Sequence, residues 1–177
     1  MREILFRGKC KDTGKWYKGQ YIHLHKTTYC FKEDYDRDKD NDIHQIVFEE
    51  MMDWGLPNRH LRVDVIPETV GQFTGLTDKN DKKIFEGDIV QYTDEEGYYP
   101  EENCDFIGKI SLEHGAFGIV TTDNIPIDLN NWCDNDNFVS LWELYWNLSV
   151  EGEMLDMVEV IGNIHDNPEL LKGGVEE

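Results

Sequence analysis

His23 and His25 stand two residues apart in the stretch Trp16 to Leu24 and beyond, WYKGQYIHLH. On a strand, residues i and i+2 share a face. Two imidazoles so placed can chelate zinc, but the sequence assigns them no third ligand. The plainer alternative is a pair of strand-surface histidines. A second group, Asp36, Asp38, Asp40 and Asp42, alternates through EDYDRDKDND. A hard cation wants several carboxylate oxygens gathered by a tight turn, and the pattern partly imitates a calcium loop. It fails at the sixth position, which is Asn41 instead of Gly, and at the twelfth, Val47, where a bidentate Glu belongs; Glu49 is two residues late. The stretch therefore reads as a solvated loop, with no metal and no cofactor expected.

A third group combines charge with aromatic surface. Arg7, Lys9, Lys15 and Lys18 surround Trp16 and Tyr17, a mixture suited to protein contact or to stacking on single-stranded nucleic acid. No catalytic arrangement is visible. Cys10, Cys30, Cys104 and Cys133 form no CxxC and carry no nucleophile signature. Gly71 to Gly75 lacks the GK[ST] of a phosphate loop. An enzyme is not expected.

Short strands must position these groups. Glu3 to Cys10 and Trp16 to Leu24 read as a hairpin turning at Asp12-Thr13-Gly14-Lys15, with Gly19 a candidate bulge. Thr27 to Phe31 reads as a short strand, and Glu33 to Asp42 as a loop. Ile43 to Ile66 fits either a helix followed by a strand or a hairpin turning at Gly55-Leu56-Pro57-Asn58, and the hairpin is favoured. Val70 to Tyr92 (VGQFTGLTDKNDKKIFEGDIVQY) is a compact meander. Its turns are set by Asp78 to Asp81, which tolerate positive φ and bond their own backbone, and by Glu86-Gly87-Asp88. Thr93 to Asp105 is a long acidic loop. Phe106 to Val120 is a second hairpin, turning at Glu113-His114-Gly115. Asn124 to Asn137 is an irregular connection. In Phe138 to Leu148 the residues Phe138, Leu141, Trp142, Tyr145, Trp146 and Leu148 form a helical stripe, read as core and not as a groove. Met157 to Ile164 is a closing strand, followed by a brief helical turn from Asp166-Asn167-Pro168.

Composition sets the remaining bounds. The 177 residues suit one domain, and 12 % aromatic content is too high for a disordered chain. Met1-Arg2-Glu3 leads straight into a strand pattern, without an apolar run of signal-peptide length, so reduced thiols in a bacterial cytoplasm are expected. No apolar stretch is long enough to span a membrane. The net charge is −20, unevenly spread. Residues 1 to 32 hold eight Lys or Arg against two acids, while Ile110 to Leu171 holds twelve acids and no Lys or Arg. Duplex nucleic acid is disfavoured as a partner, because affinity there rests on cations meeting phosphates.

Three segments together resemble the phage and prophage YopX family. They are Arg2-Glu3-Ile4-Leu5-Phe6-Arg7-Gly8-Lys9 with Asp12 to Trp16, GQFTGLTDKNDKKIFEGDIV, and Glu159-Val160-Ile161-Gly162-Asn163-Ile164-His165-Asp166-Asn167-Pro168-Glu169-Leu170-Leu171. They lie in family order across nearly the whole chain. The segments between them, about Thr27 to Arg62 and Thr93 to Met157, fit less clearly. The resemblance implies a phage accessory role and brings no established activity.

The expected fold is mainly β with minor α. It has an N-terminal hairpin and a small, partly open SH3-like barrel around residues 69 to 122, closed by a C-terminal strand. Residues 1 to 172 are expected to form one domain, with 173 to 177 a disordered tail. The expected function is non-enzymatic protein contact, as a homo-oligomer or with a host or phage protein. Arg7, Lys9, Lys15, Trp16 and Lys18 are the contact candidates. A nucleic-acid-associated module and an acidic decoy for a basic host protein are the alternatives.

Overall fold

The computed structural model describes residues 3–38, 41–93, 105–113, 115–121, 137–148 and 154–172. The chain divides into two compact units, Met1–Gln72 and Phe73–Glu177. The expected acidic loop and most of the Asn124 to Asn137 connection lie outside the described residues, as do Cys104, Cys133 and the tail from 173 to 177.

In the first unit four strands pair antiparallel in the order β1 (Phe6–Lys9), β2 (Trp16–His25), β3 (Asp42–Glu50), β4 (Arg59–Asp64). Gly14, at φ 68°, takes the left-handed position of the β1–β2 turn that a side chain resists. The β2–β3 ladder runs unbroken from Gln20↔Val47 to His25↔Asp42. Gly19 is therefore no bulge: it pairs regularly with Phe6. A Cβ there would lie 2.1 Å from the Val47 carbonyl oxygen, so glycine is what lets the two backbones close. The Ile43 to Ile66 region is the hairpin favoured from sequence, with its tip at residues 51–58.

The Glu33 to Asp42 stretch departs from the expected loop. Lys32–Arg37 is a short helix, α1. With no buried residue it has no apolar face to reveal it; tertiary hydrogen bonds hold it instead. Tyr35 donates to Asp42 Oδ1 (3.0 Å), and Tyr29 donates to Asp38 Oδ2 (2.7 Å). Asn41, almost fully buried, ties the loop twice, accepting from Thr27 N (2.7 Å) and donating to Thr27 O (2.9 Å). The segment before α1 is bent and forms no strand. It leaves the Cys30 thiol exposed instead of buried, while Cys10 is buried as expected.

The strand β5 (Gly71–Asp78) begins in the first unit, where Gly71 and Gln72 pair with Arg7 and Phe6. In the second unit it pairs antiparallel with β6 (Lys83–Phe85) and parallel with β11 (Met154–Leu155). The other sheet there runs β10 (Phe138–Ser140), β9 (Ala116–Thr121), β8 (Phe106–Glu113), β7 (Asp88–Tyr92), β12 (Val158–Asn163). An eight-residue helix, α2 (Leu141–Leu148), follows β10 directly and packs on β9, β10 and β11. The mainly β fold is as expected, but the sheets do not close into a barrel. Closure needs the first and last strands to hydrogen-bond. Here β10 and β12 are the two edges, and the C-terminal strand extends the sheet beside β7. Glycine in this sheet serves close packing. A Cβ on Gly118 would stand 2.2 Å from the Phe138 ring.

The core of the second unit gathers Val90, Tyr92, Ile110, Ile119, Leu141 and Leu144, all buried. Two buried carboxylates fix the meander turns. Asp88 accepts from Phe85 N (2.8 Å) beside Gly87, whose φ is 79°. Asp78 Oδ1 accepts from Asn80 N and Lys82 N, both 2.9 Å, and its Oδ2 accepts from Val160 N at 2.9 Å.

Candidate functional site

Alternation along β2 and β3 turns sequence spacing into a shared surface. His23 faces His44 and His25 faces Asp42 across the ladder. Because i and i+2 share a face, all four form one patch. The His23 and His44 rings stack at 4.5 Å with 13° between planes, and the His25 ring stands edge-on to His23 at 5.3 Å. Asp42 Oδ1 lies 2.7 Å from His25 Nδ1 and 3.5 Å from His23 Nε2, and it also accepts the Tyr35 hydroxyl. On the far side Tyr21 Oη lies 2.6 Å from His44 Nδ1. One ligand atom each from His23, Asp42 and His44 falls within 4.8 Å of the others.

The electrostatics follow from these contacts. The His25 hydrogen bond, helped by those of Tyr35 and His23, holds the Asp42 carboxyl below its usual range. Partial burial, with His23 beside it, lowers the His44 imidazole. The hydrogen bond to Asp42 raises the Tyr35 phenol, and burial followed by the Asp42 charge raises that of Tyr21. The patch thus favours an ionised Asp42 carboxylate and a neutral His44 imidazole with a lone pair to offer.

The other predicted residues are placed differently. Asp36 stays on α1, Asp38 caps it under Tyr29, and Asp42 opens β3; Asp40 lies outside the described residues. The described aspartates, Asp36, Asp38 and Asp42, thus do not converge as a calcium loop, and among them Asp42 turns to the histidines. Arg7, Lys9, Trp16 and Lys18 do share one face of the β1–β2 hairpin, while Lys15 sits exposed at its turn. Arg7 lies over the half-buried Trp16 ring at 5.0 Å. That cation–π contact occupies the ring face on which a base would stack.

Two apolar surfaces were not read as exposed from sequence. The β3–β4 tip exposes Met51, Met52, Trp54 and Leu56, with Trp54 100 % exposed and Met51 82 %. On α2 the expected core stripe splits. Leu141 and Leu144 are buried, whereas Trp142 (67 % exposed) and Trp146 (70 %), one turn apart, stack outward at 5.9 Å and 6°. Helical residues four apart are neighbours, so an i, i+4 tryptophan pair was the available signal.

Glu143, between them on α2, has its carboxyl raised above 4.5 by desolvation. A folded state that holds this proton more tightly is favoured below the ordinary value and loses that stability as pH rises through the shifted one. Glu143→Gln should therefore raise the melting midpoint at neutral pH, with the gain gone at pH 4. Thermal melts at both pH values check this.

No curated protein matches this chain. Among solved structures, the crystal structure of protein EF1440 from Enterococcus faecalis aligns over 97 % of this chain and 99 % of that one, at 21 % identity and a TM-score of 0.44. The family model described as YopX protein matches residues 5–172. With nearly its whole length matched, the chain belongs to the YopX protein family.

Proposed function

We propose that this protein is a non-enzymatic accessory protein of phage or prophage origin that works by protein contact, first with a second copy of itself. The observation that carries the reading is the β3–β4 tip, where four large apolar side chains stand exposed within six residues. Contiguous exposed apolar surface of this kind marks interaction sites, and methionines adapt to the surface they meet.

The polar groups at the base of the tip are largely engaged within the hairpin itself. Arg59 pairs with Glu50, and Glu49 meets both His60 (3.2 Å) and Asn58 (3.3 Å), all within the hairpin. Glu49, Glu50 and Asp53 against Arg59 leave this end of the hairpin mildly acidic, so the self-contact rests on its apolar side chains. Burying an exposed large apolar side chain gains ~1.5–3 kcal/mol. A two-fold contact counts each residue on both copies, against the several kcal/mol of freedom lost on association. A reversible dimer in the micromolar range is expected.

Met51→Ser with Trp54→Ser should give a monomer by light scattering where the natural chain is dimeric, with an unchanged circular-dichroism spectrum, because both side chains are exposed. A variant that still dimerises would overturn this contact. The Trp142–Trp146 pair favours a second reading, a basic protein partner. Neither α2 nor the strands it packs on carries a Lys or Arg, and tryptophan faces attract cations.

A further inference from the structure

We propose that the β2–β3 face binds one divalent first-row transition ion of the zinc class, held by His23, Asp42 and His44. The inference is independent of the self-association reading, which concerns the opposite end of β3.

The donor set selects the ion. Two imidazole nitrogens with one carboxylate oxygen suit zinc and its neighbours, whereas calcium and magnesium want oxygen throughout. Three protein ligands also match the open zinc pattern, in which water or another small ligand completes the tetrahedron. Bonds of 2.0–2.1 Å give a tetrahedral edge of about 3.4 Å. His23 Nε2 and Asp42 Oδ1 are 3.5 Å apart, already at that separation. The widest gap among the three ligand atoms, at most 4.8 Å, closes by side-chain rotation, since the ladder fixes the backbones.

The surroundings are those a ligand set needs. Metal-binding histidines are normally oriented through their second nitrogen, and ligating carboxylates are themselves hydrogen-bonded. Tyr21 engages Nδ1 of His44 at 2.6 Å, which leaves Nε2 as the atom to bind. His25 at 2.7 Å and Tyr35 at 3.0 Å both meet Asp42 at Oδ1, the oxygen nearest His23, so they orient the carboxylate and the ion takes the place of one of these bonds. These three residues position the ligands without binding the ion. Two surface histidines alone would need no such partners. Four titratable groups in two facing pairs, each tied to a neighbour, form a preorganised site. A bound ion would staple β2 to β3.

The test is a titration of the full chain, first cleared of metal by a chelator, with Zn²⁺ under reducing conditions, by calorimetry and by competition with a chromophoric chelator. One ion should bind, and Ca²⁺ or Mg²⁺ in excess should not displace it. His44→Gln and Asp42→Asn should each abolish that binding event, while His60→Gln, on β4 beside Glu49, leaves it intact. Tyr21→Phe removes no ligand and should weaken binding about tenfold, as loss of an orienting partner does. This variant keeps the test open if a ligand substitution unfolds the sheet. Zn²⁺ should also slow amide exchange along Gln20 to His25. Binding that the His44, Asp42 and Tyr21 variants all leave unchanged would overturn the proposal, as would no binding at 100 µM Zn²⁺, a concentration on the order of that at which even weak sites fill.

Discussion

Replacing Asp78 with alanine is expected to destabilise the second unit by about 3–5 kcal/mol, taking ~1–3 kcal/mol for each donor left unsatisfied. The carboxylate is fully buried and accepts from three backbone N–H groups. Asn80 and Lys82 lie in the adjacent turn, and water can replace the carboxylate for part of their bonding. Val160 N lies in β12, 82 residues away in sequence, and its bond is buried. Asp78 thus closes the Asp78–Lys82 turn and pins the last strand with a single side chain. Asp78→Asn should recover less than half of the loss. An amide presents one oxygen and one NH₂, so either the turn or Val160 faces a donor with a donor. Urea titration of the three proteins checks both. An asparagine variant as stable as the natural chain would show that charge and two acceptors are not what the turn requires.

Gly19→Ala is the second large effect, expected to cost the first unit about 3 kcal/mol or more, at the upper end of overpacking. The added methyl would meet the Val47 carbonyl at 2.1 Å and the Ile46 side chain at 3.0 Å. Neither neighbour can yield cheaply, because Val47 is held in the ladder on both sides, by Gln20 and by Arg62. Ile46 is fully buried in a unit with few fully buried apolar residues. Gly14→Ala is the contrast: its Cβ meets only Lys9 Cε at 3.9 Å, so only the left-handed φ is penalised, ~1 kcal/mol. If Gly19→Ala opens the β2–β3 ladder, it should weaken Zn²⁺ binding too, since the ladder brings His44 and Asp42 to His23. Amide exchange across Gln20 to His25 and across Asp42 to Val47 reads the opening directly. Equal effects from the two alanines would contradict the packing account.

What could be read from the sequence was local. Asp78 to Asp81 and Gly87-Asp88 announce their turns by side-chain chemistry, and β5 to β9 follow in the expected order. The family segments fall on β1, on the meander and on β12 with its following turn. Long-range pairing was less legible. His23 and His25 gave half of the metal patch, but Asp42-Ile43-His44 repeats the same two-residue spacing, and only the hairpin register sets the halves opposite each other. Asp42 was counted with the wrong companions, as one of four alternating aspartates. Helix α1 was hidden because hydrogen bonds from Tyr29 and Tyr35 support it in place of an apolar stripe. In α2 the aromatic content suggested one buried face, yet Leu141 and Leu144 fill the core and leave the tryptophans outside. The barrel expectation took strand rhythm for closure, which depends on which edges meet.

The measurement that bears most directly on protein contact is the molar mass of the natural chain by sedimentation equilibrium, from low micromolar upward, at low and at high salt. A contact through Met51, Met52, Trp54 and Leu56 predicts a reversible dimer that tightens as salt rises, because salt screens the repulsion between two chains of charge −20 while leaving apolar burial in place. A dimer that dissociates in salt would point instead to the basic β1–β2 hairpin meeting acidic surface on the next copy. A monomer at every concentration and salt would contradict self-association altogether.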